Sequence, residues 1–177
     1  MERACETADY AIRVAHAGDV DAIGQIEREA ALRFLAIGMP SVAEAPCMTA
    51  ATVLSLIAHG ALFVATHGDR PVAFVACCEL DGLGHVAELD VSLAHAGHRL
   101  GARLVEQSLT WARDRGCPRM TLVTFRDVPW NAPYYRRLGF TDWGDAKLGR
   151  EHRAVWRAQA AMGLDMSARL VMVRELA

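Results

Sequence analysis

The stretch from Ala61 to Phe125 constrains the fold more than any other. It holds three strand-like segments in quick succession, "ALFVATH", "PVAFVACCEL" and "GLGHVAELDVSL". A helical pattern over Leu100–Arg115 follows, with Leu104, Val105, Leu109 and Ala112 on one face, and then another strand, "RMTLVTF". The first two strands flank Gly68–Pro71, whose Gly, Asp and Pro are turn formers. Strands joined by tight turns run antiparallel, whereas a strand–helix–strand unit returns parallel. The run therefore predicts an α/β fold: a mixed, mostly antiparallel central sheet with helices on both faces.

The flanking regions fit that plan. "YAIRVA" alternates like a strand, and Gly18-Asp19 opens a helix expected over Asp19–Leu35, with Ile23, Ile26, Ala30 and Phe34 at helical spacing. Gly38–Met48 reads as a loop, and Thr49 caps a second helix ending at Gly60. "PWNAPYYRRLGF" reads as a short helix closing at Gly139, Gly149–Met162 as a further helix, and "ARLVMVREL" as a last strand. Residues 1–9 read as a flexible leader and 10–177 as a single domain.

Several function classes are set aside. A net charge of −2 offers no basic field for nucleic acid. The most apolar run, "AATVLSLIAHGALFVAT", is broken at His59-Gly60, so no membrane span is expected. The five cysteines are scattered and odd in number, which suits reduced thiols in a cytoplasmic protein. His85, His95 and His98 lack companions at ligand spacing, so no metal is expected.

"LDVSLAHAGHRLGARL", Leu89–Leu104, carries a strand through a small-residue loop into a helix. That geometry aims several backbone N–H groups at one point and favours an anion there. Neither G-x-x-x-x-G-K-[ST] nor G-x-G-x-x-G occurs, which argues against a P-loop or a dinucleotide fold. The loop resembles the V-x-x-x-x-[QR]-x-x-G-x-[GA] run of the GNAT superfamily of N-acetyltransferases. Val91 and Gly101 match it, and Ala96 and Arg99 depart. "NAPYYRRLGF" resembles the later family signature, with Tyr135 and Gly139-Phe140 in register. The order of elements agrees from about Tyr10 to Glu175.

The resemblance implies acetyl-CoA as co-substrate, held by Leu89, Val91, Leu93, Ala96, Gly97, His98, Arg99, Leu100, Gly101, Ala102, Asn131 and Tyr135. It places Tyr135 beside the coenzyme sulfur as acid, and a main-chain N–H near Val91 at the oxyanion. It also implies a homodimer. Tyr134 points elsewhere on its helix and reads as packing.

Acetyl transfer needs a base for the amine, a donor for the oxyanion and an acid for the thiolate. Glu88 and Asp90 share one strand face by two-residue alternation, and either can take the proton. His85 ranks third, on the opposite face unless a bulge intervenes. The resemblance puts the acceptor pocket against the early helices and the segment before the last strand. Glu29, Phe34, Trp130, His152, Arg153 and Trp156 are its candidate walls.

The overall pattern is similar to small bacterial acetyltransferases that modify amines or antibiotics, including aminoglycoside 2′-N-acetylating enzymes that act on kasugamycin. The expected acceptor is thus a small-molecule amine, with Glu29, Glu88, Asp90 and Asp127 available to an aminosugar. A protein or peptide N-acetyltransferase and a non-catalytic acetyl-CoA-binding module are the alternatives.

Overall fold

The computed structural model describes residues 10–144 and 147–176. The leader expected over 1–9 lies outside them. A seven-stranded sheet has the order β1-β2-β3-β4-β5-β7-β6. Its strands are β1 (Tyr10–Val14), β2 (Leu62–His67), β3 (Arg70–Leu80), β4 (Leu83–Val91), β5 (Arg119–Phe125), β6 (Thr141–Trp143) and β7 (Arg169–Glu175). Every neighbouring pair is antiparallel except β4–β5, the pair that spans the crossover helix. The mixed, mostly antiparallel sheet is the one expected. The short β6 was not foreseen, because three residues, two exposed and one buried, are too few for a readable alternation.

Helices cover both faces. On one lie α1 (Val20–Ala31), α3 (Ala50–Ala58) and α6 (Arg150–Ala161); on the other lie α4 (Leu100–Asp114) and α5 (Ala132–Arg137). The short α2 (Pro40–Ala43) sits in the expected loop. The first helix ends at Ala31 and tightens into a 3-10 turn over Leu32–Ile37. Helix α4 buries Leu100, Leu104, Val105, Leu109 and Ala112 completely or nearly so. Each of the larger ones contributes roughly 1.5–3 kcal/mol through the water it sheds.

Two details of β4 shape the cleft beside it. The β3–β4 register slips: Ala76 faces Glu88 while Cys77 faces Val86, which leaves Ala87 as an extra, bulged residue. The bulge resets the alternation. Val86, Leu89 and Val91 point to the α4 side, so His85, Glu88 and Asp90 share the other. The regular strand expected from sequence, with His85 opposite Glu88, is corrected accordingly. In addition, β4 and β5 pair only over Gly84–Val86 and Met120–Leu122. Beyond Val86 the two strands part, and β4 has no strand partner on that side.

The β3–β4 turn is Asp81-Gly82, with φ of 52° and 75°. Positive φ at both residues is the type I′ geometry that matches strand twist. The Asp81 carboxylate also caps α6, accepting the Glu151 and His152 N–H groups at 3.1 and 3.0 Å. A Cβ at residue 149 would collide with the Asp81 carboxylate, so this close approach requires Gly149. Among the described residues no helix is long and apolar enough to cross a membrane.

Candidate active site

The parting of β4 and β5 opens a cleft, and the ionisable groups gather on its α1 side. Glu88 and Asp90 on β4 and Glu27 on α1 are half-buried. Burial pushes the Glu88 carboxyl up to about 7, aided by the charge of Glu27 and opposed by Arg169. Burial, then Glu88 and Glu27, hold Asp90 well above the carboxylate range, and Arg33 opposes them. Glu27 is raised by burial and takes the Met48 N–H with both oxygens at 3.1 Å.

An aromatic rail runs beside these carboxylates. Phe125 lies 5.6 Å from Phe34, and Phe34 lies 5.7 Å from Trp130. A guanidinium closes each end: Arg169 sits 4.4 Å over Phe125, and Arg33 sits 4.3 Å over Trp130.

Tyr135 approaches from α5. Its ring is buried, edge-on to Tyr134 and Phe140 at 5.5 and 5.8 Å. Burial raises the phenol, and the charges of Glu88, Tyr134 and Asp90 add to the shift. It is therefore a neutral O–H donor near pH 7, within the field of both β4 carboxylates although its helix packs on the other face.

After β4 the chain makes a 3-10 turn over Leu93–His95 and then starts α4. Gly97 and Arg99 adopt positive φ of 86° and 58°. No side chain caps α4, so its first-turn N–H groups are left for another acceptor. The His95 Nδ1 and the Tyr10 hydroxyl are 2.9 Å apart, and His98 lies 5.1 Å from the Tyr10 ring. The side chains of Leu89, Val91 and Leu100 pack into the core, so only their main chain can face a ligand. A Cβ at Gly101 would come within 2.8 Å of the Tyr134 hydroxyl, so this glycine lets α5 close on α4. Asn131 donates to the Thr124 Oγ1 at 2.8 Å, while its own Oδ1 is buried without a partner.

The predicted acceptor walls divide. Phe34 and Trp130 meet in the rail. Glu29 does not join them; it accepts from Ser92 at 2.9 Å and Gln25 at 3.1 Å, beside a shallow pocket with Arg70 and His95. The His152 ring is buried between α6 and the sheet, bonded to Thr121 and Asp81. Trp156 packs with Trp143, Leu148, Val171 and Val173, and Arg153 donates to the Leu148 carbonyl. These residues sit on the correct helix, but its apolar stripe is turned onto the sheet. Asp127 is exposed on the loop after β5.

Glu27, Arg33, Phe125 and Arg169 were missed by sequence reasoning. Only Arg169 left a signal: in "ARLVMVREL" it falls in phase with Val171 and Val173, a charge at a position that alternation buries.

Farther down the same face lies a closed polar chain. The Thr121 hydroxyl donates to the Gly84 carbonyl at 3.0 Å and lies within hydrogen-bond distance of His85 Nδ1 at 2.9 Å and His152 Nε2 at 3.0 Å. His152 Nδ1 donates in turn to Asp81 at 2.7 Å. His152 thus ties the Thr121 hydroxyl to the Asp81 carboxylate. Burial, with the neighbouring His152, pushes His85 down to about 3. Burial would raise the Asp81 carboxyl, but the N–H groups of His152 and Glu151 and the His152 ring outweigh it and hold it at about 2.

The sequence profile of the Acetyltransferase (GNAT) family matches residues 28–140, which take in β4, the loop after it and Tyr135. The chain belongs to this family. Solved structures agree in fold. The GNAT chain superposes on N-acetylglutamate synthase from Neisseria gonorrhoeae, complexed with coenzyme A and N-acetyl-glutamate, with a TM-score of 0.75 at 19% identity. That match covers 96% of this chain and 36% of that one. Rv2747 from Mycobacterium tuberculosis, in complex with CoA and NLQ, gives 0.68 at 21% identity over 94% and 99% of the two chains. The ribosomal-protein-S18-alanine N-acetyltransferase from Escherichia coli gives 0.63 at 17%, over 96% and 95%.

A curated protein, the ditrans,polycis-undecaprenyl-diphosphate synthase of Escherichia coli K12, is 33% identical over 67 residues. The match takes in 38% of this chain and 25% of the synthase, a quarter of its length, and does not carry the family assignment.

Proposed function

We propose that this chain is an acetyl-CoA-dependent N-acetyltransferase that passes acetyl directly to a primary amine of a small molecule. The observation that carries the reading is the cleft itself, where the parted strands set Glu88 and Asp90 opposite the neutral Tyr135 phenol. The residues fit the coenzyme: an uncapped α4 terminus suits its pyrophosphate, and the free edge of β4 suits its amides. Related folds solved with coenzyme A support the coenzyme as the co-substrate. Bound there, the coenzyme supplies acetyl as a thioester.

The chain's own groups then divide the work. Glu88, with a carboxyl near 7, takes the proton that the amine nitrogen must lose as it bonds to the carbonyl carbon. Main-chain N–H groups near Val91 hold the oxyanion. As the carbon–sulfur bond breaks, Tyr135 donates to the departing sulfur. The products are an amide and a free thiol, and the proton taken by Glu88 restores the Tyr135 phenol, which returns both groups to their starting states.

Three carboxylates suit a cationic acceptor. An aminosugar of the aminoglycoside type is one such acceptor, although Glu29 and Asp127 lie elsewhere. The test is thiol release with aminosugars, polyamines, amino acids and peptides, alongside calorimetry of coenzyme binding. Binding without release for every amine would sink acetyl transfer. A homodimer, the state the resemblance implies, is checked by light scattering.

A further inference from the structure

The guanidinium of Arg169 is a buried charge with few partners. The side chain is 9% exposed, yet it makes a single hydrogen bond, from Nη2 to the Val123 carbonyl at 3.3 Å. Its Nε is buried with no partner. No carboxylate among the described residues lies within ion-pair distance of it, including Glu88. Burying a charge this way costs several kcal/mol, about as much as removing one partner of a buried pair. A fold retains such a group where something else completes it.

The position says what that is. Arg169 stands opposite Phe125 at the parted end of the sheet, on the face that carries Glu88 and Asp90. It is on the other face from α4, so the coenzyme pyrophosphate does not reach it. At the far end of the aromatic rail the Trp130 Nε1 is also buried without a partner. The rail therefore carries donors at both ends of an apolar strip, with carboxylates alongside. A polycation would set positive charge against Arg33 and Arg169. A molecule with one ammonium and one carboxylate matches both signs, and a planar guanidinium binds a carboxylate through two parallel bonds.

We propose that Arg169 reads a carboxylate on the acceptor, making that acceptor an amino acid whose apolar side chain lies along Phe125, Phe34 and Trp130. This rests on the acetyl-transfer reading, with Glu88 receiving the ammonium end. Arg169 sets specificity and takes no proton.

The test uses the full chain with aromatic and aliphatic L-amino acids, their amides and methyl esters, an aminoglycoside and spermidine. Thiol release is expected to favour each acid over its amide by about 30-fold in kcat/KM, chiefly through KM, because a buried donor left unpaired rejects the analogue. Arg169→Gln should erase that preference while leaving coenzyme affinity unchanged. Arg169→Lys should restore part of it, which a folding defect would not do.

Equal turnover of acids and amides, or turnover of aminosugars and spermidine alone, would overturn the proposal. Calorimetry of acids and amides on the coenzyme complex separates the two readings. An acid preference in binding that Arg169→Gln removes, without thiol release, keeps the carboxylate subsite and ends acetyl transfer. Thiol release with no acid preference does the reverse.

Discussion

The two ends of β4 use the same face in opposite ways. Toward the hairpin, His85, Thr121, His152 and Asp81 form a continuous hydrogen-bonded chain. Three residues on, past Ala87, Glu88 and Asp90 crowd against Glu27, while Arg169 Nε, Trp130 Nε1 and Asn131 Oδ1 lack partners. Polar groups that complete one another rigidify a fold, and those left incomplete in the interior lower its stability. The closed end is architecture, holding α6 to the sheet. The open end keeps polar groups free for ligands.

The largest expected effect tests the open end. Glu88→Gln should lower kcat by about 10²–10³ and remove the acidic limb of the rate profile near pH 7. It should also stabilise the chain. The folded carboxyl titrates near 7 and the unfolded one near its ordinary 4.5, so stability is full below 4.5 and declines as pH rises through 7. The variant escapes that loss, and urea unfolding at pH 8 should show a gain of about 1–2 kcal/mol. A loss instead would erase the contrast between the ends.

Next in size is Asp81→Ala at the closed end. It leaves the buried His152 ring without its partner and uncaps α6, at about 3 kcal/mol in urea unfolding, with coenzyme affinity unchanged. Tyr135→Phe should cost about 10–50-fold in kcat with little change in thermal stability, since the ring stays packed. An unchanged rate would remove the phenol from the chemistry.

The smallest effect sharpens the closed end. His85 stays neutral to about 3 when folded and takes a proton near 6.5 when unfolded, so its contribution is full above 6.5 and is lost as pH falls toward 3. The slope is about 1 kcal/mol per pH unit between 6 and 4, and His85→Gln should flatten it. Acid titration of the unfolding midpoint in the two proteins measures the difference.

Much of the sheet was legible because its strands are long and their turns short. "ALFVATH" and "PVAFVACCEL" announce a hairpin through composition alone. The bulge was not legible, because Ala87 looks like any alanine in a strand, and its effect shows only in the register against β3. The site followed the same division. Alternation placed Glu88 and Asp90 together, since their faces depend on local geometry. Glu27, Arg33 and Arg169 reach the cleft from three distant segments, and only the folded sheet makes them neighbours. Glu29 and His152 were misplaced because residue type does not reveal which partner a side chain has already found.

Asp81-Gly82 bears on how this protein can be engineered. A two-residue hairpin tip is usually the first place to splice in a tag or open a circular permutant. Here the tip also seats the start of a helix some seventy residues downstream, so one added residue would swing the carboxylate off its mark. Library designs should spare that tip.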